Sequence, residues 1–505
     1  MPDPNTPASK LVDALREVGT LSSIGYVLEW DEQTQMPPGG AEHRAHQKAV
    51  IARLAHARLT DPALGDLLAA AEDEAAGDPP DSDRRAIVCQ ARRSYDRAVR
   101  LPGSLVEEFA RTTALAHHGW VEARQAADVG RFVPWLEKVV GLCQAKAACL
   151  SAPGRPVYDA LLDEFEPGET TAGLRDIFAA LETPLTELVR AVKESGRSPR
   201  REVLTREFPV GAQEALGREA AAALGYDFDR GRLDVSVHPF SITLGPGDSR
   251  ITTRYHARRF NDSFFGVLHE TGHALYEQGL PPEHFGTGLG EACSMGVHES
   301  QSRLWENLVG RTPAFWQHFF PKARAMFPGV LDDVSPDEWV AALNDIGPTP
   351  IRVESDEATY NLHILLRFEL EQAIVTGDLK PADVAAAWDG RLHELLGITP
   401  PDAAAGCLQD VHWAAGLFGY FPTYSLGNLI ASQLFEAARR ALGDLESDFA
   451  RGEFGPLRDW LRRNVHRHGQ RYSARELVQR ATGSPLSADP LIAHLRTKAG
   501  RYFGV

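Results

Sequence analysis

Apolar residues recur three or four positions apart, with charged residues between them, over stretches near 8–18, 41–58, 104–128, 132–150, 173–194 and 428–442. That period gathers the apolar side chains on one stripe, so each stretch predicts an amphipathic α-helix. Two stretches break the pattern: Asp73–Asp83, with Pro79 and Pro80, and Glu194–Arg201, with Gly196 and Pro199. Both predict exposed connections, and neither is long or simple enough to tether independent modules. Between Leu233 and Tyr255 the period changes. Val235, Val237, Ile242, Ile251, Thr252 and Thr253 are strand formers, and Gly245-Pro246-Gly247-Asp248 is a strong turn signal. A short β-hairpin or small sheet is predicted there. No internal repeat or low-complexity tract interrupts the chain. The expected fold is therefore mainly α, one catalytic-sized body over 1–505 with helical lobes and no separate modules.

Composition narrows the function. The 505 residues carry a formal charge of −16 and are 43% hydrophobic, enough for a large core and too apolar for disorder. The negative balance argues against a nucleic-acid partner, which needs a concentrated basic face. No run of about 18 apolar residues predicts a membrane span. The N-terminal residues lack a signal layout and run straight into an amphipathic pattern. Cys89, Cys143, Cys149, Cys293 and Cys407 are odd in number and scattered. They read as reduced thiols of a cytoplasmic protein.

The chemistry concentrates at 269–273, His-Glu-Thr-Gly-His. On a helix, residues four apart are rotated by only about 40°, so His269 and His273 project from one face. Two such imidazoles can hold one Zn²⁺, with Glu270 on the flank within reach of water at the metal. Asn261, Asp262 and Ser263 supply an N-cap, and Gly279, Pro281 and Pro282 a stop. The two histidines interrupt apolar positions (Phe265, Leu268, Leu275, Tyr276), where an unpaired polar ring is costly. A catalytic zinc needs a third protein ligand. Downstream, residues 288–310 predict a second helix, and Glu299 falls on its stripe of Ala292, Met295 and Gly296. Glu291 and Glu306 are rivals that sit nearer the predicted helix ends, where glutamates are usually solvated. A surface salt bridge is the plainer account of Glu299 taken alone. Structural zinc competes poorly, because no cysteine is suitably spaced. Two histidines, an intervening glutamate and a later glutamate form the zinc-peptidase arrangement, with Glu270 as general base.

Further stretches, in order, resemble one family. They are His238-Pro-Phe240, Asp248-Ser-Arg-Ile-Thr252, His269-Glu-Thr-Gly-His273, His298-Glu-Ser-Gln301, Ile351-Arg-Val-Glu-Ser-Asp356 and Gly406-Cys-Leu-Gln-Asp-Val-His-Trp413. Trp30-Asp31 and Met36-Pro-Pro-Gly-Gly40 match its opening segment. The chain is similar to the M32 metallocarboxypeptidases, the carboxypeptidase Taq family, over nearly its whole length. It departs from the family pattern at Ser355, where alanine is usual. The resemblance implies a two-lobed helical fold with a deep active-site cleft, related to neurolysin-like and angiotensin-converting peptidases. It also implies a zinc-binding core at about 230–425, homodimers, and zinc dependence with Co²⁺ able to substitute. Activity would be release of single residues from peptides with a free C-terminus, broadly and with proline disfavoured. Carried over by position, His269, His273 and Glu299 would bind metal and Glu270 would be the base.

The other site residues follow from what such chemistry needs. A guanidinium fork is the natural clamp for a substrate carboxylate. Arg352, read as opening a long helix with Asp356 four residues on to hold it, is the first candidate; a plain helix ion pair is the simpler account. Arg250, beside the hairpin turn, is the second. The hairpin edge could align an extended peptide, and His238 reads equally as substrate-binding or structural. His412, Tyr420 and Tyr424 are donors that could face the tetrahedral oxygen, with His412 and Tyr424 favoured; aromatic packing is the alternative. Trp30 and Asp31 carry no chemistry of their own, and in the family comparison they belong to the lobe that covers the cleft. His466 and His468 read as solvated. Two other functions compete: a helical oligopeptidase cutting internal bonds, and a catalytically silent helical binding protein. The intact Glu270 argues against the second.

Overall fold

The predicted amphipathic stretches are helices in the computed structural model, which describes residues 4–152 and 154–505. They run Pro7–Thr34, Ala41–Leu59, Gly103–Gln125, Val133–Leu150, Thr171–Glu194 and Pro422–Leu442. The first continues well beyond its predicted stripe because Trp30, near its end, is buried against Phe240 at a ring separation of 5.7 Å. Asp31 on the next position accepts from Arg44 at 2.7 Å, tying this helix to the second. Twenty α-helices and one three-stranded sheet dominate the described residues, so the fold is mainly α. No described helix is long and apolar enough to cross a membrane.

The chain divides into two compact units that interleave in sequence. The first joins the segments up to Val99, Arg200–Leu343 and Gln433–Pro485; the second joins Arg100–Pro199, Asn344–Ser432 and Leu486–Val505. The core of the first is strongly aromatic. Phe260 lies 5.1–5.9 Å from Phe208, Phe264, Phe327 and Trp339, and Trp316 closes the cluster at 5.2 Å from Phe264. The second is centred on the helix Thr359–Thr376, which is buried on nearly every side and so shows little polar face.

The predicted hairpin is a small mixed sheet with strands β1 (Leu233–Val235), β2 (Ser241–Gly245) and β3 (Asp248–Thr253) in the order β1-β3-β2. β2 and β3 pair antiparallel across the Gly245–Asp248 turn, with a bulge between Thr243 and Gly245; β1 adds parallel to β3. Gly245 (φ 145) and Gly247 (φ 84) take backbone angles that glycine reaches without strain. The threonines fix the sheet from inside. Thr252 Oγ1 accepts the Phe240 N–H at 2.9 Å, and Thr253 Oγ1 donates to Ser263 O at 3.2 Å, which pins β3 to the helix that follows. Val237 lies beyond β1 and is 75% exposed.

That helix, Phe260–Glu277, ends where Gly279 and the prolines predict. It starts slightly before the expected cap, with Arg259 at the N-cap, because Phe260 is anchored in the aromatic core and Ser263 is spent inside, donating to Gln213 Oε1. Gly272 is the contact point with the next helix, Met295–Arg303. A Cβ there would stand 2.5 Å from both Gln301 O and Ser302 Cα, backbone atoms that cannot swing aside. A side chain would force the two helices apart. Gly272→Ala is therefore expected to cost about 1–3 kcal/mol of stability, as overpacking does. Gly141→Ala, on an exposed helix face with nothing within 4 Å, should be neutral or stabilising by up to about 1 kcal/mol. Thermal melts of the two variants check the contrast.

Candidate metal centre

The close approach at Gly272 brings the Glu299 carboxylate over the histidine face of the preceding helix. His269 Nε2, His273 Nε2 and Glu299 Oε2 converge, with Oε2 3.6 Å from the first nitrogen and 3.4 Å from the second. Ligand atoms of these three residues lie within 4.8 Å of one another, the one such cluster of histidine, cysteine or acidic groups among the described residues. Glu270 is buried on the same helix and its carboxylate has no hydrogen-bond partner among the described residues. Burial pushes its carboxyl up to about 7.

The ligand set is braced from outside. His269 Nδ1 is 2.9 Å from Glu306 Oε2, which orients the ring with Nε2 toward Glu299. Arg303 Nε donates to Glu299 Oε1 at 2.7 Å, and Arg303 Nη1 to Glu306 Oε2 at 3.2 Å. Burial works to raise both carboxyls, and Arg303 and His269, joined by His273 at Glu299 and by Arg311 at Glu306, together outweigh it, so both are held below the usual range. His298 stacks on His273 with centroids 4.4 Å apart, and its Nε2 meets Glu277 Oε1 at 3.0 Å. Burial, together with His298, takes His273 down to about 3. Burial works to lower His269, but Glu299 and Glu306 hold it above the usual imidazole range, so a positive charge is favoured where its ring faces Glu299. Buried acceptors facing each other are unfavourable unless a cation lies between them. Two imidazole nitrogens and one carboxylate oxygen suit a divalent metal with an open position, so the donor set fits zinc.

Three expectations need correction here. The predicted single helix over 288–310 is an α-helix only over Met295–Arg303, after which it widens into a π-turn over Leu304–Val309. Glu306 sits in that π-turn, buried against His269 rather than solvated at a helix end. His466 is also buried, 1% exposed, its Nε2 2.9 Å from Gln301 Oε1 and its ring tilted against Tyr276, in space that Gly279 leaves open, since a Cβ there would stand 2.3 Å from His466 Nδ1. His468 is half-buried beside Tyr472.

The other candidates of the first unit lie on the sheet. Arg250 grips Asp248 through Nε and Nη2, both at 2.8 Å, and lies over the Trp30 ring at 5.3 Å. His238 is exposed, and its backbone carbonyl accepts the Ser236 hydroxyl. Trp30, which offered no chemistry, thus supports both Arg250 and the Phe240 of the His-Pro-Phe stretch.

Within the second unit, Arg352 sits in a 3₁₀ turn, Arg352–Glu354, ahead of the helix that begins at Thr359. Asp356 is not its partner. Extended backbone at Ser355 turns Asp356 away to cap the helix, accepting from Ala358 N, Thr359 N and the Thr359 hydroxyl. Arg352 pairs with Asp410 instead, Nε and Nη2 reaching Oδ1 at 3.1 and 2.7 Å, while Nη1 donates to Tyr360 Oη at 2.7 Å. Arg367 Nε takes the other Asp410 oxygen at 2.7 Å, and Gln409 Oε1 accepts the Arg352 N–H at 2.8 Å. Burial would raise the Asp410 carboxyl, but the two arginines hold it far below the usual range. His412, Tyr420 and Tyr424 form one cluster beside this network. His412 Nε2 is 3.2 Å from Tyr424 Oη, Tyr420 lies 5.3 Å from Tyr424 by ring centroids, and Arg352 lies over the Tyr424 ring at 4.9 Å. Burial brings His412 down to about 4, so its ring is neutral near pH 7.

The chain is similar to known proteins over nearly its whole length. Residues 10–499 match the family model for the carboxypeptidase Taq (M32) metallopeptidases. Thermostable carboxypeptidase 1 of Thermus thermophilus is 48% identical, over 99% of this chain and all of that one. Carboxypeptidase 1 of Bacillus subtilis is 37% identical, over 98% of each. The crystal structure of an M32 carboxypeptidase from Deinococcus radiodurans superposes with a TM-score of 0.95 at 41% identity, covering 99% of this chain and 100% of that one.

Asp410→Asn removes the one anion shared by two buried guanidinium groups, and should cost about 3–5 kcal/mol. Because the folded carboxyl titrates below its unfolded value of about 3.9, its contribution is complete above that pH and is lost as pH falls further. Melting temperatures of both proteins should differ most from pH 5 to 7 and draw together below about pH 4.

Proposed function

This chain belongs to the carboxypeptidase Taq (M32) family and is a metallocarboxypeptidase, and from that premise we propose a zinc enzyme that removes single C-terminal residues from peptides with broad specificity. The observation that carries the proposal is the convergence of His269 Nε2, His273 Nε2 and Glu299 Oε2 on one buried point. These three residues would hold the ion. A zinc bound there supplies a Lewis acid that polarises a carbonyl and acidifies water.

The remaining steps fall to side chains. Glu270, buried, beside both histidines and with an unengaged carboxylate, takes the proton of the attacking water and returns it to the leaving amine nitrogen. Arg352 is assigned the substrate carboxylate. Of its five N–H groups, Asp410 and Tyr360 engage three, which leaves one on each terminal nitrogen, the pair a carboxylate takes end-on. The Asp410 anion keeps that guanidinium in place before substrate arrives, while the Gln409 side chain holds the Arg352 backbone N–H. Tyr424 and His412 are assigned as donors to the tetrahedral oxygen, with Tyr420 lining their cluster. Arg250 and His238 are secondary contacts for the peptide chain. The outer edge of β1, which no described strand covers, can align its backbone.

Substitution of zinc by Co²⁺, disfavour for proline, a cytoplasmic location and a homodimer complete the proposal on the strength of the family resemblance. The five free cysteines are in keeping with a reducing compartment.

Glu270→Gln is expected to keep wild-type metal content and lose 10²–10⁴-fold in turnover, the usual worth of a general base. Metal analysis beside a stepwise residue-release assay reads both quantities, and retained turnover would refute the base. Peptides with an amidated C-terminus should lose nearly all activity with the wild type. Efficient internal cleavage of them would favour the oligopeptidase reading instead.

A further inference from the structure

Helix Met295–Arg303 does not simply end after delivering Glu299. It widens into the π-turn Leu304–Val309, a form that is rare and frequently placed at functional sites. Arg303 stands at the junction with its side chain 15% exposed. Its guanidinium serves two carboxylates: Nε donates to Glu299 Oε1 at 2.7 Å, and Nη1 to Glu306 Oε2 at 3.2 Å. That same Glu306 oxygen lies 2.9 Å from His269 Nδ1. A single arginine is thus one contact from Glu299 and two from His269.

The division of labour between the Glu299 oxygens follows. Oε2 faces the two imidazole nitrogens, and Oε1 is taken by Arg303. We infer that Arg303 is a positioning residue that restricts Glu299 to ligation through one oxygen and, through Glu306, sets the plane of the His269 ring. Freed of Arg303, a carboxylate beside a divalent ion can swing both oxygens onto it and fill the position that water and substrate need. Arg311 cannot replace it. Its Nη2 is 3.5 Å from the other oxygen of Glu306, and its Nε and Nη1 are committed to Asn307 and to the Leu343 carbonyl. Lysine is a poor substitute too, since a point charge on a flexible stem lacks the planar fork that spans two carboxylates at fixed angles.

The inference rests on the metal site proposed above, and its test separates the two. Metal-free wild type, Arg303→Met and Arg303→Lys are titrated with Zn²⁺ against a chromophoric chelator, and their Co²⁺ forms are compared by visible absorption. Melts of the metal-free proteins establish folding, and Arg303→Lys carries the test should Arg303→Met not fold. Zinc affinity is expected to fall 10–100-fold in Arg303→Met, the usual loss for an outer-shell partner. The Co²⁺ bands should weaken and shift in both variants as Glu299 turns two-oxygen, with kcat falling and KM for an unblocked peptide unchanged. Folded variants with wild-type zinc affinity and an unaltered Co²⁺ spectrum would overturn the role of Arg303 alone. A wild type that binds no zinc would remove the metal site itself.

Discussion

Two imidazole nitrogens and a carboxylate oxygen aimed at one buried spot call for positive charge between them, and much of the first unit serves to hold them there. The histidine helix is anchored at its start by Phe260 in a ring of aromatic side chains and along its side by β3. Its partner helix is pressed against it where Gly272 lacks a side chain. Rigidity of this kind lets a site keep an arrangement that is unfavourable until a cation arrives, because the packed core, and not the ligands, determines the positions. The surrounding charges are matched to the same end. Arg303 lies against both Glu299 and the outer carboxylate of Glu306, so neither buried anion is left uncompensated.

What could be read from the chain depended on the reach of each interaction. His269, Glu270 and His273 are legible because helical period alone puts them together. Glu299 was found by its place on a stripe of small residues. Glu306 was hidden by the π-turn, since a pattern that assumes regular helix places it at a solvated end. Asp410 lies 58 residues from Arg352, and His466 lies 165 from Gln301. No local period can announce such pairs, so Asp356 looked like the natural partner of Arg352, and His466 looked exposed in a basic stretch. The small sheet was visible through its β-branched residues and its glycine turn, but the parallel addition of β1 was not, because parallel pairing leaves no turn signal between the strands.

The network around Asp410 follows the same logic in the second unit. Two buried cations share one anion, and the spare N–H groups of Arg352 become an acceptor-seeking edge only because Asp410 and Tyr360 fix the other three. Preorganisation replaces mobility: these guanidinium groups are committed to fixed partners within the fold.

The threading of the chain carries a consequence for how the protein comes into being. The polypeptide passes from one unit to the other five times, at residues 99, 199, 343, 432 and 485. His466, which packs beneath Gln301 at the helix pair, belongs to a stretch made long after the histidines. A ribosome that has released residues up to 343 has therefore emitted all three residues of the candidate metal centre and none of the last wall of their housing. The housing of the candidate centre is in this sense completed late in biosynthesis. No single backbone cut could divide the molecule into its halves, since each is sewn from three pieces of thread.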